Sequence, residues 1–249
     1  MTTRILAGLA ILVMSGVPPA FAGTSAPAPE ADSEIIVAPA HAGATIVLSD
    51  TLAGPSGFDV DLVRAIYAID HPAFVTWMRA ADASFYPLVA LAVPGAFAAE
   101  IATPSSGGTL TMAGALGSTY VVTVLGKRLA GRQRPYSALP DIDLRERARS
   151  DQYALQSFPS GHASMSFAAA TALSLTYPEW YVIAPAALWA GSVAVSRMWL
   201  GVHFPSDLAA GAVLGMAAGT GSYFVSRLIL GPDTGTESSA PISIIIPIR

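Results

Sequence analysis

Five stretches of this sequence contain no Asp, Glu, Lys or Arg: residues 83–99, 101–126, 152–178, 180–196 and 208–226. A helix that crosses the hydrocarbon core of a bilayer needs about 20 mostly apolar residues, and each stretch is near that length. Hydrophobic residues make up 53% of the 249 positions and charged residues only 12%, against about 25% charged in an ordinary soluble domain. The expected fold is therefore all-α, a helical bundle with about five membrane-spanning helices. A soluble periplasmic helical domain with a very apolar core is the competing reading. Small residues such as Gly114, Gly117, Gly211, Gly215, Gly219 and Gly221 allow close helix contact. The net charge of -4 gives no nucleic-acid signature. The lack of cysteine excludes disulfides, thiolate metal sites and a Cys nucleophile.

The flanks suggest export. Arg4, the apolar run from Ile5 to Val17 and Ala20-Phe21-Ala22 read as a signal peptide over residues 1–22; an uncleaved first helix is the alternative. Residues 23–58 are expected to be a flexible exported linker, with weak strand signals at Ile35–Val37 and Ile46–Leu48. The main domain is expected over 59–230. It opens with apolar Leu62, Ile66, Ile69, Phe74 and Trp77 between charges, one or two amphipathic helices broken near His71-Pro72. Residues 231–249 form a tail whose β-prone end, Ile242–Ile248, could pair with Ile35–Val37. With the N-terminus exported, five spans place residues 127–151 and 196–207 on the exported face. The positive-inside rule points the other way, since six Arg and one Lys cluster at 127–149. Some of those cations are needed for the chemistry below.

Three polar blocks interrupt the apolar chain. In the first, Lys127 and Arg134 are seven residues apart, two helical turns, and share a face if the helix persists to Pro135. Arg132 lies nearby. An Arg fork matches phosphate oxygens bidentately and Lys acts as a point charge, although a basic run beside a membrane also suits lipid headgroups. In the second, Pro159-Ser160-Gly161-His162 precedes an apolar run. Ser160 is a good N-cap, Gly161 lets a ligand near the backbone, and free N–H groups at a helix start attract anions. A capped helix with an incidental histidine is the plainer reading. In the third, Ser196-Arg197 is followed by His203 and Asp207, an i,i+4 pair able to hydrogen-bond. Such a pair can orient a nucleophilic imidazole or simply cap the last helix. Asp141 and Asp143 read as solvated or lid residues in a polar loop.

Together the blocks follow K-x6-R-P, P-S-G-H and S-R-x5-H-x3-D in order. Over roughly residues 60–230 the sequence resembles the type 2 phosphatidic acid phosphatase (PAP2) and vanadium haloperoxidase superfamily, and looks most like its bacterial membrane-bound members. The resemblance implies that His203 attacks phosphorus to form a phosphohistidine and that Asp207 orients it. It implies that His162 protonates the leaving group and then activates water. Lys127, Arg134 and Arg197, with Ser160 and the Gly161 N–H, would bind the phosphate oxygens, and Arg132 would be an extra contact. It implies no cofactor, and the sequence has no carboxylate cluster for a metal. The expected activity is metal-independent hydrolysis of a lipid phosphate or diphosphate at the exported membrane face. The alternatives are a broad soluble periplasmic acid phosphatase, a vanadate-dependent haloperoxidase and a non-catalytic protein that binds lipid phosphate. Neither the lipid nor the oligomeric state is encoded in a readable way.

Overall fold

A computed structural model describes residues 57–102, 107–145 and 153–231. Within them the chain is helical: α1 (Gly57–Tyr67), α2 (Pro72–Ala102), α3 (Gly108–Ala130), α4 (Pro135–Ala138), α5 (Gly161–Thr176), α6 (Trp180–Trp199) and α7 (Pro205–Leu230). The break expected near His71-Pro72 separates α1 from α2. The signal-peptide and linker readings over 1–56, and the strand pairing proposed for the tail, lie outside the described residues.

Four of these helices (α2, α3, α6 and α7) are long and apolar enough to cross a membrane. Their outward faces carry large apolar side chains, among them Leu91 and Ile101 on α2, Val121 and Leu125 on α3, Leu188 on α6 and Phe224 and Leu228 on α7. A soluble monomer rarely exposes contiguous apolar surface of more than a few hundred Å². The chain is a membrane protein, and the soluble reading is set aside on this observation.

The fifth expected span differs from the rest. Helix α5 has 16 residues, which at 1.5 Å per residue is about 24 Å, short of the roughly 30 Å apolar core. The first part of its charge-free stretch, residues 153–160, is not α-helix; it becomes the loop that enters the site. α5 need not meet lipid, because it packs against α3, α6 and α7. Its buried residues are Ala or Ser only: Ala163, Ser164, Ser166, Ala168, Ala169, Ala170 and Ala172. Small side chains let three neighbours approach. The serines donate back to main-chain carbonyls, Ser164 to Ser160 at 2.8 Å and Ser166 to His162 at 2.7 Å, so neither of these two hydroxyls is left bare among apolar atoms.

The closest approach is between α5 and α7. A Cβ on Gly211 would lie 2.7 Å from the Ser160 carbonyl oxygen, one on Gly215 2.2 Å from that of Ser164, and one on Gly219 2.8 Å from Thr171 Cβ. Gly211, Gly215 and Gly219 recur every four residues and so form one face of α7. The contact that the sequence signalled only through Gly215-x-x-x-Gly219 therefore runs from Gly211 to Gly219, a little over two turns. It brings the N-termini of α5 and α7 together, where the Ser160 N–H donates to the Asp207 carbonyl at 3.1 Å.

Candidate active site

The three polar blocks meet at one end of the bundle. α3 ends there, stopped by Gly131 in the left-handed conformation (φ 55°); α5 and α7 begin there, and α6 ends there. The N-terminal part of α2 and the short α1 cover the same end. A strap over residues 141–145 ties α1 down. Arg64 and Asp141 form a bidentate surface pair at 2.6 and 2.8 Å, so Asp141 is ion-paired rather than merely solvated. Arg145 bonds Asp70 at 3.2 Å and stacks over the Tyr67 and Trp199 rings at 4.2 and 4.9 Å.

Lys127 and Arg134 come together, by a different route from the one the spacing suggested. The α3 helix stops at Ala130, so they do not share a continuous helical face. Both instead point at the Gln156 carbonyl, Lys127 Nζ at 2.6 Å and Arg134 Nη2 at 3.4 Å, while the Arg134 N–H donates to the Ala154 carbonyl at 2.9 Å. Gly161 lies against the Lys127 stem: a Cβ there would be 3.8 Å from Lys127 Cε.

Ser160 caps α5 as expected, its hydroxyl accepting from the Ala163 N–H at 3.5 Å. Ser160 is fully buried. His162 follows in the first turn. Its ring lies on Phe85 of α2, centroids 4.0 Å apart, with Tyr86 edge-on at 5.5 Å.

In the third block, Arg197 is buried and paired with Asp82 of α2. His203 is 2% exposed and Asp207 is wholly buried. Their closest approach, Nδ1 to Oδ2, is 3.7 Å, longer than a hydrogen bond, so the expected direct bond is not made. Asp207 is instead held by three other donors. Its Oδ2 accepts from the Ser157 hydroxyl at 2.6 Å and the Phe204 N–H at 2.8 Å, and its Oδ1 from Arg132 Nη1 at 2.7 Å. The carboxylate is fixed next to His203 without being saturated by it.

Burial pushes the His203 pKa well below its ordinary 6.5, and the charges of Arg134, Lys127 and Arg197 add to the effect; the Ser157 main chain opposes it. The imidazole is therefore neutral at pH 7 and keeps a lone pair. The same electrostatics identify the surroundings of this ring: two cations of the first block, Lys127 and Arg134, and Arg197 of the third act on it together.

Arg132 has another job than the phosphate contact expected of it. Its fork spans two carboxylates, Asp207 through Nη1 and Asp59 of α1 through Nη2 at 2.6 Å, and its face lies over Phe204 at 4.6 Å. Asp59, Asp82, Phe85 and Ser157 were not found from the sequence. Each lies tens of positions from its partner, so no local spacing reports the pair. Asp59 did leave a signal: it shares the buried face of an amphipathic helix with Val63, where an unpaired carboxylate is costly.

The chain is 37% identical over 92 residues to a lipid A 1-phosphatase of Porphyromonas gingivalis, covering 36% of this chain and 20% of that protein. It is 36% identical over 102 residues to the decaprenylphosphoryl-5-phosphoribose phosphatase of Mycobacterium tuberculosis, covering 40% and 51%. It thus spans between a fifth and about half the length of these curated relatives. The crystal structure of Aquifex aeolicus LpxE superposes with a TM-score of 0.58 at 24% identity, over 68% of this chain and 97% of that one, a likeness of fold. The model of the PAP2 superfamily matches residues 108–228, the segment that holds Lys127, Arg134, Ser160, Gly161, His162, Arg197, His203 and Asp207, and it is this segment that carries the PAP2 superfamily match.

Proposed function

We propose that this protein is a phosphatase that hydrolyses a lipid phosphate or diphosphate through a phosphohistidine at His203, without a metal ion. The observation that carries the reading is a buried, neutral imidazole acted on by three fixed cations, with a second histidine in the first turn of a neighbouring helix at the same end of the bundle. Phosphoryl transfer needs little covalent work from a protein beyond a nucleophile; positioning and charge stabilisation dominate. Here Lys127, Arg134 and Arg197 would neutralise the phosphate oxygens, joined by the N–H groups at the start of α5. Ser160 accepts from Ala163 and would donate its own proton to a phosphate oxygen.

In the first step the His203 lone pair attacks phosphorus. A nitrogen–phosphorus bond forms, the bond to the leaving oxygen breaks, and protonated His162 gives that oxygen its proton. The developing positive charge on His203 is met by Asp207, 3.7 Å away. In the second step neutral His162 takes a proton from water, whose oxygen attacks phosphorus, and inorganic phosphate leaves with His203 restored. The lipid class follows from the setting. The site lies at the end of a bundle whose outer faces are apolar, so a headgroup phosphate can reach it while its chains stay in the bilayer. The relatives named above as phosphatases of lipid A and of a prenyl-linked sugar phosphate support the same class. We place the site on the exported face, on the signal-like N-terminus and the order of the spans.

The test is phosphate release by the detergent-purified protein from a panel of lipid phosphates, lipid diphosphates and soluble phosphate esters, with and without EDTA. Turnover of a lipid substrate undiminished by EDTA and lost in His203→Ala is expected. Turnover that survives His203→Ala, or that EDTA abolishes, contradicts the proposal.

A further inference from the structure

Asp59 lies outside the segment matched by the PAP2 model, on an amphipathic helix that the three motifs do not include. It is nonetheless 5% exposed and fully engaged. Its Oδ2 accepts from Arg132 Nη2 at 2.6 Å and from the Ser206 hydroxyl, and its Oδ1 from the Ser206 N–H at 3.0 Å. Ser206 in turn accepts from Arg132 Nη1 at 2.6 Å, the same nitrogen that donates to Asp207 at 2.7 Å. Asp59, Arg132 and Ser206 thus form a closed ring directly behind the carboxylate that faces His203.

We propose that Asp59 is a positioning residue of the active site, sharing the Arg132 guanidinium with Asp207 and thereby fixing the carboxylate beside His203. The inference rests on the reading of His203 as the nucleophile. Two physical effects support it. First, a guanidinium is a rigid fork; with Nη2 anchored on Asp59 and Nη1 on the Ser206 hydroxyl, Nη1 is held where it meets Asp207 Oδ1. Second, Arg132 carries one positive charge between two carboxylates. Without Asp59 that charge falls on Asp207 alone and weakens its support for a cationic His203. Asp59 also sits at the α7 N-terminus, where a negative charge is favoured. The ring makes α1 part of the reaction centre.

The experiment uses the full chain in detergent and compares Asp59→Asn, Asp59→Glu, Arg132→Gln and Asp59→Asn combined with Arg132→Gln. Arg64→Gln serves as a control that loosens α1 at its exposed pair. Outer partners that orient metal-bound ligands typically contribute about 10–100-fold, and a factor of the same order is expected for a carboxylate that orients a nucleophile. Asp59→Asn is therefore expected to lower kcat by about that factor with KM little changed, and Asp59→Glu to fall in between. In the Arg132→Gln background Asp59→Asn should add nothing, and Arg64→Gln should keep wild-type kcat. A second readout needs no substrate: in 15N-histidine-labelled protein, which has four histidines, the His203 imidazole signal should move in either Asp59 variant while that of His162 stays. If wild type releases no phosphate yet the His203 signal moves, the phosphatase reading falls and the role of Asp59 stands. Wild-type kcat and an unmoved His203 signal in whichever Asp59 variant folds overturn the proposal. So does an Asp59→Asn effect that persists in the Arg132→Gln background, which would make Asp59 a docking residue for α1.

Discussion

Gly215→Ala is the sharpest test of how the bundle sets the site. The added Cβ would lie 2.2 Å from the Ser164 carbonyl oxygen, 2.8 Å from the Ala168 nitrogen and 3.1 Å from Phe167 Cβ. Comfortable heavy-atom contact begins at about 3.5 Å, and the two nearest atoms are main chain of α5, which cannot rotate away. The helices must part by roughly 1 Å, with overpacking in such a setting costing about 1–3 kcal/mol. The same interface carries the Ser160–Asp207 main-chain bond, which ties the helix start that bears His162 to the one that follows His203. Since a misplacement of about 1 Å can cost on the order of 100-fold in rate, a fall in kcat of roughly 10- to 100-fold should accompany the lower Tm. Thermal unfolding and phosphate release on the same detergent preparation read both. Gly117→Ala and Gly221→Ala are the controls: nothing lies within 4 Å of a Cβ at either position, and Ala is the better helix former by about 1 kcal/mol. Wild-type Tm and kcat in Gly215→Ala would refute the claim that close α5–α7 contact positions the site.

Asp82→Ala removes the carboxylate paired with buried Arg197; a destabilisation of about 3 kcal/mol and a raised KM are expected, and an unchanged KM would separate Arg197 from substrate binding. The pH dependence follows from His203. Its folded pKa lies well below 6.5, so the unfolded chain binds the proton more readily. Stability from this group is complete above about 6.5 and is lost as pH falls from there toward the folded value. Correspondingly, the acid limb of kcat/KM assigned to His203 should lie below pH 6.5, and Arg134→Gln should move it upward; a limb above 6.5 in wild type contradicts the assignment. Glu100→Ala strips the start of α3, where the carboxylate accepts from the Gly107 and Thr109 N–H groups at 3.2 and 3.1 Å. It should cost about 1 kcal/mol in thermal unfolding and leave kcat unchanged.

The parts of this structure readable in the sequence are those governed by short-range pattern. Charge-free runs gave the long helices, His71-Pro72 gave the break between α1 and α2, and Ser160 marked the start of α5. Matched in order, the three blocks identified the residues that converge at one end. What the spacing missed is tertiary. Lys127 and Arg134 look like neighbours on one helix, but Gly131 ends α3 and the two meet through Gln156. Arg132 reads as a phosphate ligand until Asp59, 73 residues away, claims its second nitrogen. His203 and Asp207 have hydrogen-bonding spacing, yet Ser157, Phe204 and Arg132 take the carboxylate first. The length of α5 was overestimated because residues 153–160 carry no charge, although they serve the site rather than a span.

The central claim is that His203 takes the phosphoryl group. Rapid denaturing quench of the enzyme turning over a 32P-labelled lipid phosphate, followed by peptide mapping, tests it directly. The expected result is a label that is acid-labile and base-stable, as a phosphoramidate is, on the peptide containing His203, and none in His203→Ala. Label on another side chain, or full turnover in His203→Ala, would contradict it.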